Sequence, residues 1–383
     1  MRTTTMYLVM SDELISYQGK AGKLAGSVLK NPRDFSVHLE RFQKEIKFNY
    51  DFVLSGSFGS FDRIKKIWPW TGGLQNGNPL IKLRPDITIP YKNLPKANSN
   101  GLVRFTDFKA SMDEILGISP AGRIDSPIFA VIDHNSTHHM SYILARKAYS
   151  TASTDLNRRK KVVINFDNHG DGPVPDKQSY DPNYIKCGDW AYHLFLEHSL
   201  SDAESDPAKK DPAVNPVYIS IGAHSQSLWR GGEVGATQIY YEDVTRRFSA
   251  PALTDSNIEE IMGIISELVS PHLSWDNADV YITVDRDFMI GSYTPYKDGF
   301  YSPLVGRLAV ANCLSYLSKN HANLVGFDVI GLPSDGGSSS SYKREEAVSE
   351  AITDIWWFYN SVSHYGEPRI SDTLRATMPV ERS

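Results

Sequence analysis

The segment Phe166-Asp167-Asn168-His169-Gly170-Asp171 carries three potential metal ligands at two-residue spacing, directly after the apolar β-branched run Val162-Val163-Ile164-Asn165-Phe166. That run predicts a buried strand, so Asp167, His169 and Asp171 leave a strand end together. Residues two apart on an extended or tightly turning segment point the same way, and the three side chains can converge on one point. Alone, the pattern is equally a polar turn after a strand. The rest of the chain decides between the two.

Two further apolar strands end in the same kind of residue. Pro127 to Ile132 runs into Asp133-His134, and Val280 to Val284 runs into Asp285-Arg286-Asp287. Like charges gathered at one edge are costly unless a cation neutralises them, so four carboxylates (Asp167, Asp171, Asp285, Asp287) and two imidazoles (His134, His169) imply metal. Nitrogen and oxygen donors without sulfur favour Mn²⁺ or a similar first-row ion over structural zinc, and the donors suffice for two ions.

These motifs sit in a regular alternation that begins near Ser126. Strands are expected at Pro127–Ile132, Val162–Phe166, Val217–Ile221, Val280–Val284 and Leu324–Ile330, and helices at His138–Ala152, Trp190–Leu200, Ile258–Leu268, Val305–Leu317 and Glu345–Tyr359. In the last helix Ile352, Ile355 and Trp356 are expected inward. Such alternation predicts an α/β fold, a parallel sheet flanked by helices on both faces, with ligands outside the carboxyl ends of the strands. Residues 1–125 are more fragmented, with one helical pattern at Asp34–Phe48, and read as an N-terminal accessory region beside a main domain at 126–383. Gly56 to Ser60 lacks the spacing of a phosphate-binding loop and reads as a turn. Ser201 to Asn215 is a polar, Pro-punctuated loop, and Asp335 to Ser341 is Gly/Ser-rich, either a linker or a mobile rim beside the site.

Composition sets the outer limits. At 383 residues, 41% apolar and 22% charged, the chain has the make-up of a globular protein with a sizeable core. A net charge of −5 gives no electrostatic reason to expect nucleic acid, and the dense basic run Arg158 to Lys161 reads as a solvated helix-to-strand connection. Two cysteines, Cys187 and Cys313, are too few for a disulfide framework or thiolate zinc site and fit a reducing cytoplasm. Neither a signal-peptide core nor an eighteen-residue apolar run is present, so no membrane association is expected. Self-association into a homo-oligomer is left open.

The order His, then Asp-x-His-x-Asp, then Asp-x-Asp, each at a strand end, resembles the ureohydrolase superfamily of arginase and agmatinase. Val131-Ile132-Asp133-His134, Phe166 to Asp171 and Val284-Asp285-Arg286-Asp287-Phe288 look closest to its UPF0489 branch, and Asp189-Trp190 resembles that branch's Asn-Trp. The likeness spans Pro127 to Tyr359. Histone deacetylases share His-Gly-Asp-Gly, as in His169 to Gly172, but space their ligands differently and lack the paired Asp-x-Asp. The resemblance implies a three-layer arginase-like fold and two Mn²⁺ ions. His134 and Asp171 would hold one ion, His169 and Asp287 the other, with Asp167 and Asp285 bridging. It further implies that the two ions share and activate a water, that Asp171 orients it, and that attack on a guanidinium carbon yields urea and an amine.

The departures bear on the substrate. The family's Asp-x-x-Glu segment, whose Glu pairs with the guanidinium, reads here Asp328-Val329-Ile330-Gly331, leaving Asp335 or Glu233 as replacement acids. No histidine matches the family's proton shuttle: Asp189 falls near that place, and His193 and His224 are the replacement candidates, with His224 at the functional edge ranked above His193, since a lone histidine on a helix is more often structural. His138 and His139 are expected to pack at a helix N-terminus. The UPF0489 branch includes enzymes converting peptidyl arginine to ornithine in ribosomal peptide maturation. The extra N-terminal region, the Gly/Ser loop and the absent Glu are compatible with an arginine-containing peptide substrate. A small-molecule guanidino hydrolase, an amidohydrolase or deacetylase using the same site, and a metal-binding scaffold without turnover are the alternatives.

Overall fold

The computed structural model describes residues 5–10, 87–90, 102–116, 127–132, 138–152, 159–171, 183–194, 217–222, 237–240, 258–269, 273–289 and 303–331, with positions 354, 358, 361, 362, 365 and 366. In chain order the strands are β1 (Thr5–Met10), β2 (Ile87–Pro90), β3 (Val103–Arg104), β4 (Ile128–Ile132), β5 (Lys160–Phe166), β6 (Tyr184–Ile185), β7 (Val217–Ile221), β8 (Thr237–Tyr240), β9 (Ala278–Asp285) and β10 (Asn323–Ile330). The longer helices are α1 (Phe105–Leu116), α2 (Met140–Ala152), α3 (Ile258–Val269) and α4 (Pro303–Lys319). Residues 190–194 are also helical.

Eight strands form one sheet in the order β2-β1-β4-β10-β9-β5-β7-β8, and every neighbouring pair is parallel. The α/β architecture expected from the alternation is present, with the five strands β4-β10-β9-β5-β7 at its centre. These five are buried almost throughout, which explains why they read as unbroken apolar runs instead of alternating ones. The antiparallel pair β3–β6 stands apart from the sheet.

Two expectations need correction. Residues 1–125 are not only an added layer, because β1 and β2 belong to the main sheet and β1 pairs with β4 from Thr5↔Ile128 to Val9↔Ile132. The basic run Arg158 to Lys161 is not wholly a solvated connection. Lys160 is buried at the start of β5, and Arg159 donates from Nε to Asp279 Oδ1 (2.8 Å) and from Nη2 to the Ala278 carbonyl (3.0 Å). Pairing with a strand neighbour thus carries β5 two residues further toward the N-terminus than its apolar run does.

Side-chain alternation places packing on both sheet faces. Ile128, Ala130 and Ile132 of β4 join α1, α2 and Trp190, Ala191 and Leu194 in one core cluster. The intervening Phe129 stacks on Phe327 of β10 (ring centroids 5.7 Å), which meets Phe358 (5.6 Å). Helix α4 packs on α3 and on β10. Gly326 on β10 lies against the ring of Tyr281, so close that an added Cβ would sit 2.5 Å from it. Among the described residues, no helix is long and apolar enough to cross a membrane.

Candidate metal centre

The sheet register creates the site. Strands β5 and β9 are hydrogen-bonded neighbours with Phe166 opposite Val284, so the residues that follow, Asp167 and Asp285, emerge level with each other. Both strands then close in the same local way. The Asp167 carboxylate accepts from the His169 amide (Oδ1, 2.8 Å), and that of Asp285 accepts from the Asp287 amide (Oδ1, 3.0 Å). Such carboxylate-to-amide turns are what Asp at a strand end favours, and each delivers a second ligand two residues on. Asp287 in turn accepts from the Asn168 amide (3.4 Å), tying the two turns together.

The ring of His169 lies between the turns, its Nδ1 3.4 Å from Asp167 Oδ1 and 3.2 Å from Asp287 Oδ2. A second imidazole, His138, enters from just ahead of α2. Its Nδ1 is 2.7 Å from Asp171 Oδ2 and 3.6 Å from both Asp167 Oδ2 and Asp285 Oδ2. Donor atoms therefore gather in two groups, His138–Asp167–Asp285 and Asp167–His169–Asp287, each within 4.8 Å, and Asp167 belongs to both.

Asp171 is reached through a left-handed backbone turn (φ 45°), an unusual conformation for a residue with a side chain. Its carboxylate is held by Trp190 Nε1 (2.9 Å) and Asn165 Nδ2 (3.4 Å). Asn165 also donates to Asp167 Oδ2 (3.2 Å) and to the Tyr218 hydroxyl (2.8 Å), while that hydroxyl donates to the Gly170 carbonyl (3.0 Å). The strained turn is thus fixed from two strands and one helix.

The donor set fits a divalent cation. Asp167, Asp171, Asp285 and Asp287 are all buried, and burial together with the neighbouring carboxylates pushes Asp167, Asp285 and Asp287 above the ordinary carboxylate range. Burial raises Asp171 to about 7. Hydrogen bonds to Asp167 and Asp287 raise His169 to about 12, whereas burial lowers His138. A pocket that repels its own negative charge in this way is relieved by positive charge at its centre.

Five of the six expected ligands, Asp167, His169, Asp171, Asp285 and Asp287, are brought together here. His134 lies outside the described residues, and the second imidazole among the carboxylates, beside His169, is His138, expected from sequence to pack at a helix start. It is at a helix start, but its Nδ1 faces the acids. The signal available was the proximity of His138 to the same strand end and its position two residues before the helix that starts at Met140.

The other candidates fall elsewhere. Asp189 is buried and accepts from the Lys186 amide (2.8 Å), so it closes the short turn Cys187–Asp189 and thereby sets Trp190; burial raises it to about 7. His193 packs on the Phe105 ring (4.5 Å), with burial lowering it to about 4, as suits a core histidine. Gly331 has φ 91°, its amide donates to the Ile132 carbonyl (3.1 Å), and its carbonyl accepts from Arg286 Nη1 (2.9 Å). Its backbone polar groups are thus engaged with protein, and a Glu there would have to adopt a left-handed backbone. His224, Glu233 and Asp335 lie outside the described residues, as do Ile352, Ile355 and Trp356. Sequence reading missed Trp190 as a partner of Asp171 and missed Asp354, the buried partner of Arg286.

No family model matches the chain, and no curated protein does. Among solved structures it is similar to formimidoylglutamase from Bacillus subtilis, at 12% identity over 94% of this chain and 88% of that one, with a TM-score of 0.44. It is likewise similar to a hypothetical agmatinase from Burkholderia thailandensis, at 14% identity over 94% and 88% of the two chains (TM-score 0.46). Arginase from Entamoeba histolytica, solved with L-ornithine, matches at 10% identity over 93% and 99% (TM-score 0.46).

Proposed function

We propose that this chain is a binuclear-metal ureohydrolase that converts peptidyl arginine to ornithine, releasing urea. The observation that carries the hydrolase reading is the pair of ligand groups sharing Asp167 at the carboxyl edge of β5 and β9. Two divalent cations held there, Mn²⁺ by the donor chemistry, supply Lewis acidity and an activated water. His138, Asp167, Asp171 and Asp285 surround one position, and Asp167, His169 and Asp287 the other.

The protein groups have separable tasks. Asp171, pinned by Trp190 and Asn165, orients the attacking water through its carboxylate. His169 is the open side of the cluster, 48% exposed while its carboxylate partners are buried, so substrate approaches past its ring. Water adds to the guanidinium carbon, the bond from that carbon to the side-chain nitrogen breaks, and the nitrogen takes up a proton to leave as ornithine amine. His224, which follows β7, is the proposed donor of that proton.

The choice of peptide over free arginine is supported by residue 331. A glycine with φ 91° and a carbonyl held by Arg286 replaces the acid that pairs with the guanidinium in arginases and agmatinases. Binding energy must then come from elsewhere on a larger substrate, with Glu233 and Asp335 as the acids available. The test is to supply manganese-loaded protein with an arginine-containing peptide and with free arginine, and to assay urea and ornithine. Urea from the peptide alone is the expected result. Urea from free arginine alone would replace peptide by small molecule, and urea from neither, with acetate released from acetyl-lysine, would replace the reaction itself.

A further inference from the structure

We infer that Thr283 is a positioning residue that, with Asp328 behind it, fixes which nitrogen of His138 faces the metal cluster. The inference rests on reading the cluster as a metal centre. Its basis is a chain of buried polar groups that the sheet register assembles. Tyr281, Thr283 and Asp285 alternate along β9 and so share one face, and Thr283 stands opposite Asp328 of β10. Thr283 Oγ1 donates to Asp328 Oδ1 (2.6 Å), and the Tyr281 hydroxyl donates to Asp328 Oδ2 (2.5 Å). On its other side Thr283 Oγ1 is 3.1 Å from His138 Nε2. His138, Thr283 and Asp328 are all within 2% of full burial.

The directions of these bonds follow from counting protons. Asp328 accepts from both hydroxyls, one on each carboxylate oxygen. Thr283 has one proton, already given, and its oxygen can only accept from His138. Nε2 must therefore carry the imidazole proton, which leaves the Nδ1 lone pair aimed at Asp171, Asp167 and Asp285. A lone pair on that side is what a cation among the three carboxylates would use, and the tautomer is the one a ligand needs. A threonine placed merely to satisfy a buried acid would not need a partner on the ring.

The test uses the full-length protein, metal-free, titrated with Mn²⁺ in a calorimeter. Wild type should take up two ions. Thr283→Val keeps the shape and removes the hydroxyl, and should weaken one of the two sites about 10- to 100-fold while leaving the other. Thr283→Ser restores the hydroxyl and should restore the affinity. Wild-type affinity at both sites in Thr283→Val, or an equal loss in Thr283→Ser, would overturn the role of Thr283. A wild-type protein that binds no Mn²⁺ would instead remove the metal reading itself. Should Thr283→Val not fold, the ¹⁵N spectrum of the His138 ring in zinc-loaded wild type reads the tautomer directly: a proton on Nε2 is expected, and one on Nδ1 overturns the inference.

Discussion

Two clusters of buried charge lie within one turn of each other at the end of β9, and they are built on opposite plans. Asp285 and Asp287 face the metal centre, where four buried carboxylates meet two imidazoles and no arginine or lysine contributes an ion pair among the described residues. Arg286, between them in sequence, turns the other way. It is buried and donates from Nε to Asp354 (2.8 Å), which Arg307 also engages, and from Nη1 to the Gly331 carbonyl (2.9 Å). The first cluster gathers more acids than cationic groups, an arrangement that a bound cation would complete. In the second, one carboxylate, Asp354, accepts from both arginines within the chain. One is therefore a site and the other a fastening, although both are buried ionic groups on the same three residues of sequence.

Removing the acid that completes the fastening should have the largest effect. Asp354→Leu leaves Arg286 and Arg307 buried beside a neutral side chain, and loss of one partner of a buried pair costs about 3–5 kcal/mol. Denaturant unfolding of metal-free and manganese-loaded protein should show the same loss in both. A loss confined to the loaded form would mean that the triad belongs to the metal site and is not a separate fastening.

The metal centre should respond to pH in the direction opposite to an ordinary ion pair. Burial raises Asp171 from the usual aspartate value of about 4 to about 7, so between these values the folded state binds more protons than the unfolded one. Stability of the metal-free protein is thus present at low pH and lost as pH rises from about 4 to about 7, on the order of 4 kcal/mol from this residue. His169, raised to about 12, extends the decline above pH 6.5. Thermal unfolding of chelator-treated protein across that range should fall, and Asp171→Asn should flatten the lower part. A rise with pH would show that the acids are already neutralised from within.

Cation binding should then reverse the deficit. Manganese at a hundred times its dissociation constant stabilises a protein by about 2.7 kcal/mol per site, and Asp167→Asn, altering the residue common to both groups, should abolish most of the gain. Unfolding midpoints with and without Mn²⁺ measure it; an equal gain in Asp167→Asn would place the ions elsewhere.

How much of this was legible in sequence follows the same divide. Asp167, His169, Asp171, Asp285 and Asp287 could be read because they follow apolar runs whose strands are adjacent and parallel, so their spacing along the chain maps directly onto their spacing in space. The five central strands were legible for the same reason, each being buried on both faces. His138 was not, because it lies beyond the strand by several residues and its role depends on where α2 returns over the sheet. Asp354 was hidden in a helical pattern where its apolar neighbours Ile352, Ile355 and Trp356 drew attention. The membership of β1 and β2 in the sheet was equally hidden: β1 precedes its partner β4 by more than a hundred residues, and no periodicity in either strand names the other.

The smallest expected effect sits where the two regions touch. Gly331 has φ 91°, holds β4 through the Ile132 carbonyl and receives Arg286 on its own carbonyl. Gly331→Ala adds a Cβ to a left-handed backbone at a cost of about 1–2 kcal/mol, or moves the residue out of that conformation. If the backbone holds, stability falls by that amount and manganese affinity is unchanged, because Arg286 keeps its acceptor and Asp285 and Asp287 keep their turn. If the backbone shifts instead, Arg286 loses its acceptor, the Asp285-Arg286-Asp287 turn moves with it, and affinity falls as well. Measuring unfolding and Mn²⁺ binding on the same variant separates the two, and an affinity loss larger than the stability loss would show that the fastening sets the geometry of the site.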